Sequence, residues 1–200
     1  MTQKQVDLLA DLAWHQLSSL FGPAGKRPPV YLFLSPQSKG SLKKRTEVEK
    51  SFVHHQQAAE GGVTLDRPPC AWVSTLDQVP EECAHLYALQ RGQRSKNHQP
   101  LPLSHYLLHE AFGRFAEHLC FGKARQKVVR AKLRRLRVWD EIHHFGYALG
   151  DRWAEHYFCE KIEASHLKLW FSSSWTKSKT ISKLYQSVRH RMPGRVRQFT

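Results

Sequence analysis

The sequence lacks the marks of several function classes. No apolar run approaches the roughly 20 residues that cross a bilayer, so no spanning helix is expected. The opening stretch MTQKQVDLLADLAWHQLSSLFG carries Asp7, Asp11 and His15 where a secretory signal would be uniformly apolar, so it does not read as one. Cysteine is scarce: Cys70, Cys83, Cys120 and Cys159 lie far apart, and no CxxC pair exists. That spacing excludes a zinc ribbon and predicts reduced, mostly buried thiols in a cytoplasmic protein. There is no Gly-rich loop ending in Gly-Lys-Ser/Thr, no Gly-x-Gly-x-x-Gly and no Gly-x-Ser-x-Gly elbow. A standard nucleotide site and an α/β-hydrolase nucleophile are therefore not expected. Nor does any tandem repeat of solenoid length occur.

What is present suffices for a folded core. Of 200 residues, 40% are hydrophobic and 11% aromatic, which argues against global disorder. Val6, Leu9, Ala13, Leu17 and Leu20 recur at helical spacing over residues 3–21, and Gly22-Pro23 stops the pattern. Val30 to Leu34 reads as a short buried strand. Residues 37–60 are polar and read as an insertion or loop with room for a short helix. A second extended stretch starts at Val63. Pro68-Pro69 interrupts it, so that any strand there is an edge or restarts over Ala71 to Leu76. Ser104 is placed to cap a helix reaching Phe121, with Leu108, Phe112, Phe115 and Leu119 as its stripe. A helical pattern follows over residues 124–161. Its two apolar sets, Val129/Leu133/Leu136 and Ile142/Phe145/Leu149/Trp153, point to opposite sides, which predicts a break near Val138 to Asp140. Ile181 to Met192 reads as a last helix. The expected fold class is α+β: a mostly helical single domain with a small, short-stranded sheet in its N-terminal half. The globular part covers 1–165. A basic C-terminal segment, 166–200, packs on it or extends from it.

Charge gives the strongest functional pointer. Lys and Arg number 31 against 17 Asp and Glu, for a net charge of +14. Residues 1–100 carry only +3 of that excess, and residues 101–200 carry +11. Two blocks hold most of it, and neither contains an acid. Lys123, Arg125, Lys127, Arg130, Lys132, Arg134, Arg135 and Arg137 form the first. The second, from Lys168 to Thr200, includes Lys177, Lys179, Lys183, Arg189, Arg191, Arg195 and Arg197. A merely solvated helix interleaves signs into i,i+4 pairs, and these blocks do not. An excess of this kind repels itself, and a polyanion relieves the repulsion. Arginine outnumbers lysine five to three in the first block, which suits bidentate grip on phosphates. DNA or RNA is the expected partner. An acidic protein partner is the competing reading of the same helix, and its apolar seam lacks the Trp or Phe anchors of a membrane-surface helix. In the C-terminal block Trp170, Phe171, Trp175 and Tyr185 alternate with cations, a pattern that can stack bases. Burial statistics favour a core role for Trp170, Phe171 and Tyr185.

Histidine is abundant, with 13 in the chain, and seven of them fall between residues 105 and 166. Within SHYLLHEAFG, His109-Glu110 matches the start of HExxH, where two imidazoles at i and i+4 share one Zn²⁺ and the Glu acts as general base. Gly113 occupies the second histidine's position. An alternative ligand set is His105 and His109 from one helix with Glu141 and His144 from the next, a spacing that admits Zn or Fe. Glu141, His144, Asp151 and Glu155 equally make an ordinary polar helix face.

The order of a leading helix, VYLFLSP, VTLDRPPCAWVSTLD, the His-Glu helix and a later Glu141 resembles the SprT-like zincin metalloproteases over residues 5–155. The resemblance implies a zincin scaffold that has lost its metal or holds it with other ligands, with Glu110 as the catalytic position. It also implies peptide-bond hydrolysis on DNA-associated proteins as the family's activity, which the Gly113 departure puts in doubt here. The sequence therefore supports two functions. The first is a nucleic-acid-binding accessory subunit of a nucleic-acid-processing assembly, with DNA or RNA and other protein subunits as partners, no membrane and no resident cofactor. The second is a zincin-like, zinc-dependent hydrolase, degenerate or active. Whether the protein is an enzyme stays open at this level.

Overall fold

The computed structural model describes residues 1–58, 61–91, 103–122 and 138–160, together with Lys183, Tyr185, Gln186 and His190. Side chains in the two later helices are described from Tyr106 and from Ile142. The fold is α+β and mostly helical, and its small sheet lies in the N-terminal half. The chain divides into two compact units, Met1–Arg91 and Gly92–Thr200.

In the first unit, α1 (Gln3–Phe21) starts at a reciprocal cap: Thr2 Oγ1 accepts from the Gln5 amide, and the Gln5 side chain accepts from the Thr2 amide at 2.8 Å. It ends at Gly22, whose φ of 94° suits glycine. Its buried stripe is Val6, Ala10, Ala13, Trp14, Leu17 and Phe21, so Leu9 and Leu20 lie on its half-buried flanks. The sheet has order β1-β3-β2. Strand β1 (Val30–Leu32) runs parallel to β3 (Pro69–Val73), and β2 (Val63–Asp66) runs antiparallel to it. Strand β1 stops short of Leu34, which turns into the left-handed region at φ 67° and is exposed. Strand β3 restarts at Pro69, two residues before the expected point. Proline is tolerated there because it is the first strand residue, and β3 becomes the central strand.

The free edge of β1 is closed by a side chain. Gln3 Nε2 donates to the Val30 carbonyl at 2.8 Å, and the Leu32 amide donates to Gln3 Oε1 at 2.8 Å. The Gln3 amide thus replaces a neighbouring peptide group and blunts an edge that could recruit another strand.

Helices cover both faces. Over its described residues, the stretch from 37 to 58 is mostly helical, beyond the short helix the sequence left room for. It forms α2 (Pro36–Leu42), capped by Ser35, and α3 (Glu47–Ala58), opened by Thr46 and Glu49 in reciprocal hydrogen bonds. Leu42 and Val53 from these helices pack with Val63, Cys70 and Trp72, one alternating face of the sheet. The Lys43-Lys44-Arg45 triplet is split by the fold. Both lysines are exposed, whereas Arg45 is buried and donates to the carbonyls of Arg67 (2.6 Å) and Pro68 (2.7 Å). Its guanidinium also lies over the Trp72 ring, 5.6 Å from the centroid.

After a 3-10 turn (Leu76–Gln78) comes α4 (Val79–Gln90), a helix that the sequence pattern does not announce. Nine of its twelve residues are buried, so it has no polar face to set a helical period against. It packs with α1 and the sheet, and the Tyr87 hydroxyl donates to the Gly22 carbonyl at the end of α1.

The second unit is built on α5 (Leu103–Phe121) and α6 (Val138–Phe158). Helix α6 is described from Val138; the expected break near Val138 to Asp140 borders residues 123–137, which lie outside the described residues. Helix α5 begins one residue before Ser104, which therefore sits in its first turn. Leu108, Phe112 and Phe115 are buried in α5, joined by Leu107 and Ala111, while Leu119 is only half-buried. Ile142, Phe145, Leu149 and Trp153 are buried in α6 as expected. Tyr185 is buried too, and Lys183, Tyr185 and Gln186 are helical, in line with a last helix there.

Contacts between α5 and α6 advance together along both helices. Glu110 meets His143, Arg114 meets Asp151, and Phe115 meets Tyr157. The two helices therefore run in the same direction. Gly122, after α5, and Val138, at the start of α6, consequently lie at opposite ends of the pair. A 19-residue helix is about 28 Å long.

Candidate functional site

The close approach of α5 and α6 depends on Gly146-Tyr-Ala-Leu-Gly150. A Cβ at Gly146 would lie 3.0 Å from the Leu107 carbonyl oxygen and collide with the Glu110 Cβ. At Gly150 it would lie 2.6 Å from the Arg114 Cβ and collide with the Ala111 carbonyl. Two glycines one turn apart thus bring one helix against the backbone of the other, and polar side chains along the seam meet at hydrogen-bond distance.

Arg114 is the centre of that seam. Its side chain is 5% exposed; Nη1 donates to Glu117 Oε2 at 2.7 Å and Nε to Asp151 Oδ1 at 2.6 Å. The His118 Nε2 lies 2.8 Å from the same Asp151 oxygen. The Tyr147 ring sits beside the guanidinium, 5.8 Å from its carbon. One turn back, His143 Nε2 is 3.5 Å from Glu110 Oε1. Burial works against the Arg114 charge, but the Asp151 and Glu117 carboxylates outweigh it, so its pKa is raised. Burial likewise pushes the Asp151 carboxyl up. Hydrogen bonds from His118 and Arg114, with the Arg114 charge, overcome this and hold it below the usual carboxylate range.

A depressed carboxylate pKa in the folded state fixes the direction of a pH effect. The unfolded chain binds the proton first as pH falls, so the contribution of Asp151 is fully present above about pH 5 and is lost below about pH 4. The stability difference between the parent protein and Asp151→Asn should be constant from neutral pH down to about 5 and shrink as acid is added. Urea titrations at several pH values check this; a difference that stays flat to pH 3 would contradict it.

The predicted ligand residues are distributed unevenly over this seam. Glu110 is engaged with His143 across the helices, and His109 is buried on α5. His144 is half-buried, its ring edge-on to Phe145 at 5.2 Å. The side chains of His105 and Glu141 lie outside the described residues. Gly113 is in α5, so the HExxH position after His109-Glu110 offers no ligand atom. The four cysteines form no disulfide: Cys70 and Cys83 are buried, Cys120 is half-buried and Cys159 exposed. Burial raises Cys70 to about 11 and Cys120 to about 12, so neither is a thiolate nucleophile near neutral pH.

Of the predicted phosphate contacts, Lys183 is described and is exposed. Lys123, Arg125, Lys127, Arg130, Lys132, Arg134, Arg135, Arg137, Lys177, Lys179, Arg189, Arg191, Arg195 and Arg197 lie outside the described residues. What the described residues add concerns the acids. Residues 92–200 contain 21 basic and eight acidic side chains. Glu110, Glu117 and Asp151 are engaged inside the helix pair with His143, Arg114 and His118. The first unit, residues 1–91, is nearly neutral, with ten basic and nine acidic.

Comparisons with protein-family models, curated proteins and solved structures return no match. Among the described residues, no helix is long and apolar enough to cross a membrane.

Arg114 and His143 carry no pattern in the sequence that singles them out. Asp151 reads there as part of a polar helix face. One signal was available: Arg114 and Glu117 interrupt the Ala111–Phe112–Phe115–Ala116 run at i,i+3 spacing, where a charge must be paired to be buried.

Proposed function

We propose that this protein binds nucleic acid through its cationic second unit, as an accessory subunit of a nucleic-acid-processing assembly. The supporting observation is the 15-residue stretch 123–137, with eight cations and no acid. It joins two helices, three of whose carboxylates (Glu110, Glu117 and Asp151) are engaged by His143, Arg114 and His118. An acid-free run of cations of this length repels itself, and a polyanionic partner relieves that repulsion. Phosphates are the partner chemistry that best fits an arginine-rich, acid-free segment.

Replacing Arg130, Arg134, Arg135 and Arg137 together by Ala tests the assignment. The slope of log affinity against log salt should flatten by roughly three to four units if each arginine neutralises one phosphate of a duplex. Binding should weaken alike across base sequences, because phosphate contacts carry no sequence information. Fluorescence anisotropy with labelled DNA and RNA at several salt concentrations reads both effects. Unchanged affinity and slope would remove residues 123–137 from the binding surface.

A further inference from the structure

Large aromatic side chains are usually buried, yet Phe121 is 43% exposed and Phe158 is 51% exposed. They are the last residues of α5 and α6. Because the helices run in the same direction, both rings lie at the same end of the pair. Phe158 is also held in place. Its ring packs edge-on against Tyr157 at 5.5 Å, and Tyr157 packs edge-on against the fully buried Phe115 at 5.5 Å. Three successive rings therefore lead from the core to the surface, with the outermost one open. In sequence, Phe121 stands two residues before the cationic stretch Lys123 to Arg137, while Phe158 is followed by Glu160, Lys161 and Glu163 before the acid-free block starts at Lys168. Glu155 and Glu160 are exposed near the end of α6, so the attraction for phosphate comes from the flanking stretches and not from the aromatic end itself.

An exposed ring held on a rigid base, with cationic chain following it in sequence, has the chemistry of a stacking platform for unpaired bases. A duplex keeps its base faces stacked inside, where such a ring cannot reach them. Resting on the nucleic-acid reading above, we infer that the preferred ligand is single-stranded nucleic acid, with bases stacked on Phe121 and Phe158 and phosphates held by the flanking cations.

The test measures anisotropy with labelled single-stranded DNA, single-stranded RNA and a duplex of matched length, for the full-length protein and for Phe121→Ala/Phe158→Ala. Each stacked base is worth about 1–3 kcal/mol. The double variant should therefore lose at least about thirtyfold in affinity for single strands, keep its salt slope, and bind duplex as the parent does. The DNA and RNA arms show which sugar the site prefers. Phe121→Leu/Phe158→Leu keeps the apolar bulk without the aromatic face, so it should reproduce the loss and keeps the test valid if the alanine variant folds poorly. Single-strand affinity unchanged in the leucine variant, or a parent that prefers duplex, overturns this inference and leaves the proposed function standing. A parent that binds none of the three at low salt overturns both.

Discussion

Arg114→Met is expected to cost the second unit about 3–5 kcal/mol, the range found when one partner of a buried ion pair is removed. The size follows from where the guanidinium sits. Arg114 is almost fully buried, it bridges two helices, and one of its carboxylates, Glu117, is 3% exposed. Removing the cation leaves Glu117 buried without that counter-charge and takes from Asp151 one of the two groups that stabilise its ionised form. Arg114→Lys keeps the charge but offers no planar fork to reach Glu117 and Asp151 together, so a smaller loss of about 1–2 kcal/mol is expected. The informative variant is the double replacement Arg114→Met/Glu117→Met. Exchanging a buried ion pair for apolar side chains of similar volume is often nearly neutral, so it should recover much of the loss from the single change. Amide exchange in α5 and α6 measures the effect locally, without the assumption that both units unfold together. A single variant as stable as the parent would mean that the seam is not held by this pair.

Much of this architecture is legible in the residues, and the parts that are not share a cause. Helices α1 and α6 each set an apolar face against a wetter one, so a 3.6-residue period reveals them; α5 is buried over most of Leu107 to Glu117, and its end is marked by Gly122. Helix α4 is buried on nearly every side and presents no such contrast. Its start is marked only by Pro80 and the acidic Glu81 and Glu82 in the first turn, signals that act without periodicity. Helices α2 and α3 are short and polar, yet both carry a cap that could have been read: Ser35-Pro36, and Thr46 with Glu49 three residues on.

At the candidate site the sequence identified a concentration of His and Glu on two helices but not the partners. His143 and Glu110, or His118 and Asp151, meet only because α5 and α6 run in the same direction at one particular register. No local pattern encodes that register. What encodes it is a steric fact at a distance, namely which residues of α5 the two glycines of α6 must touch.

That steric fact makes the last prediction, in which one substitution has opposite signs at two positions. Gly→Ala inside a helix ordinarily stabilises by up to about 1 kcal/mol, through backbone entropy and propensity. Gly40, in α2, has open space where a Cβ would go, so Gly40→Ala should raise stability by about 0.5–1 kcal/mol. Gly150 lies against the Ala111 carbonyl and the Arg114 Cβ, and neither is the free end of a flexible side chain. To admit a methyl group there α6 must move away from α5, which stretches the Arg114–Asp151 and His118–Asp151 contacts together. Overpacking of this kind costs about 1–3 kcal/mol, and the accompanying loss of hydrogen bonds to a charged carboxylate adds to it. Gly150→Ala should therefore destabilise by about 2–4 kcal/mol despite its better helix propensity, and Gly146→Ala, against Glu110 and Leu107, should act in the same direction. Gly150→Ala as stable as the parent would mean that α6 does not approach α5 this closely. In that case the shared Asp151 contacts would lose their structural basis.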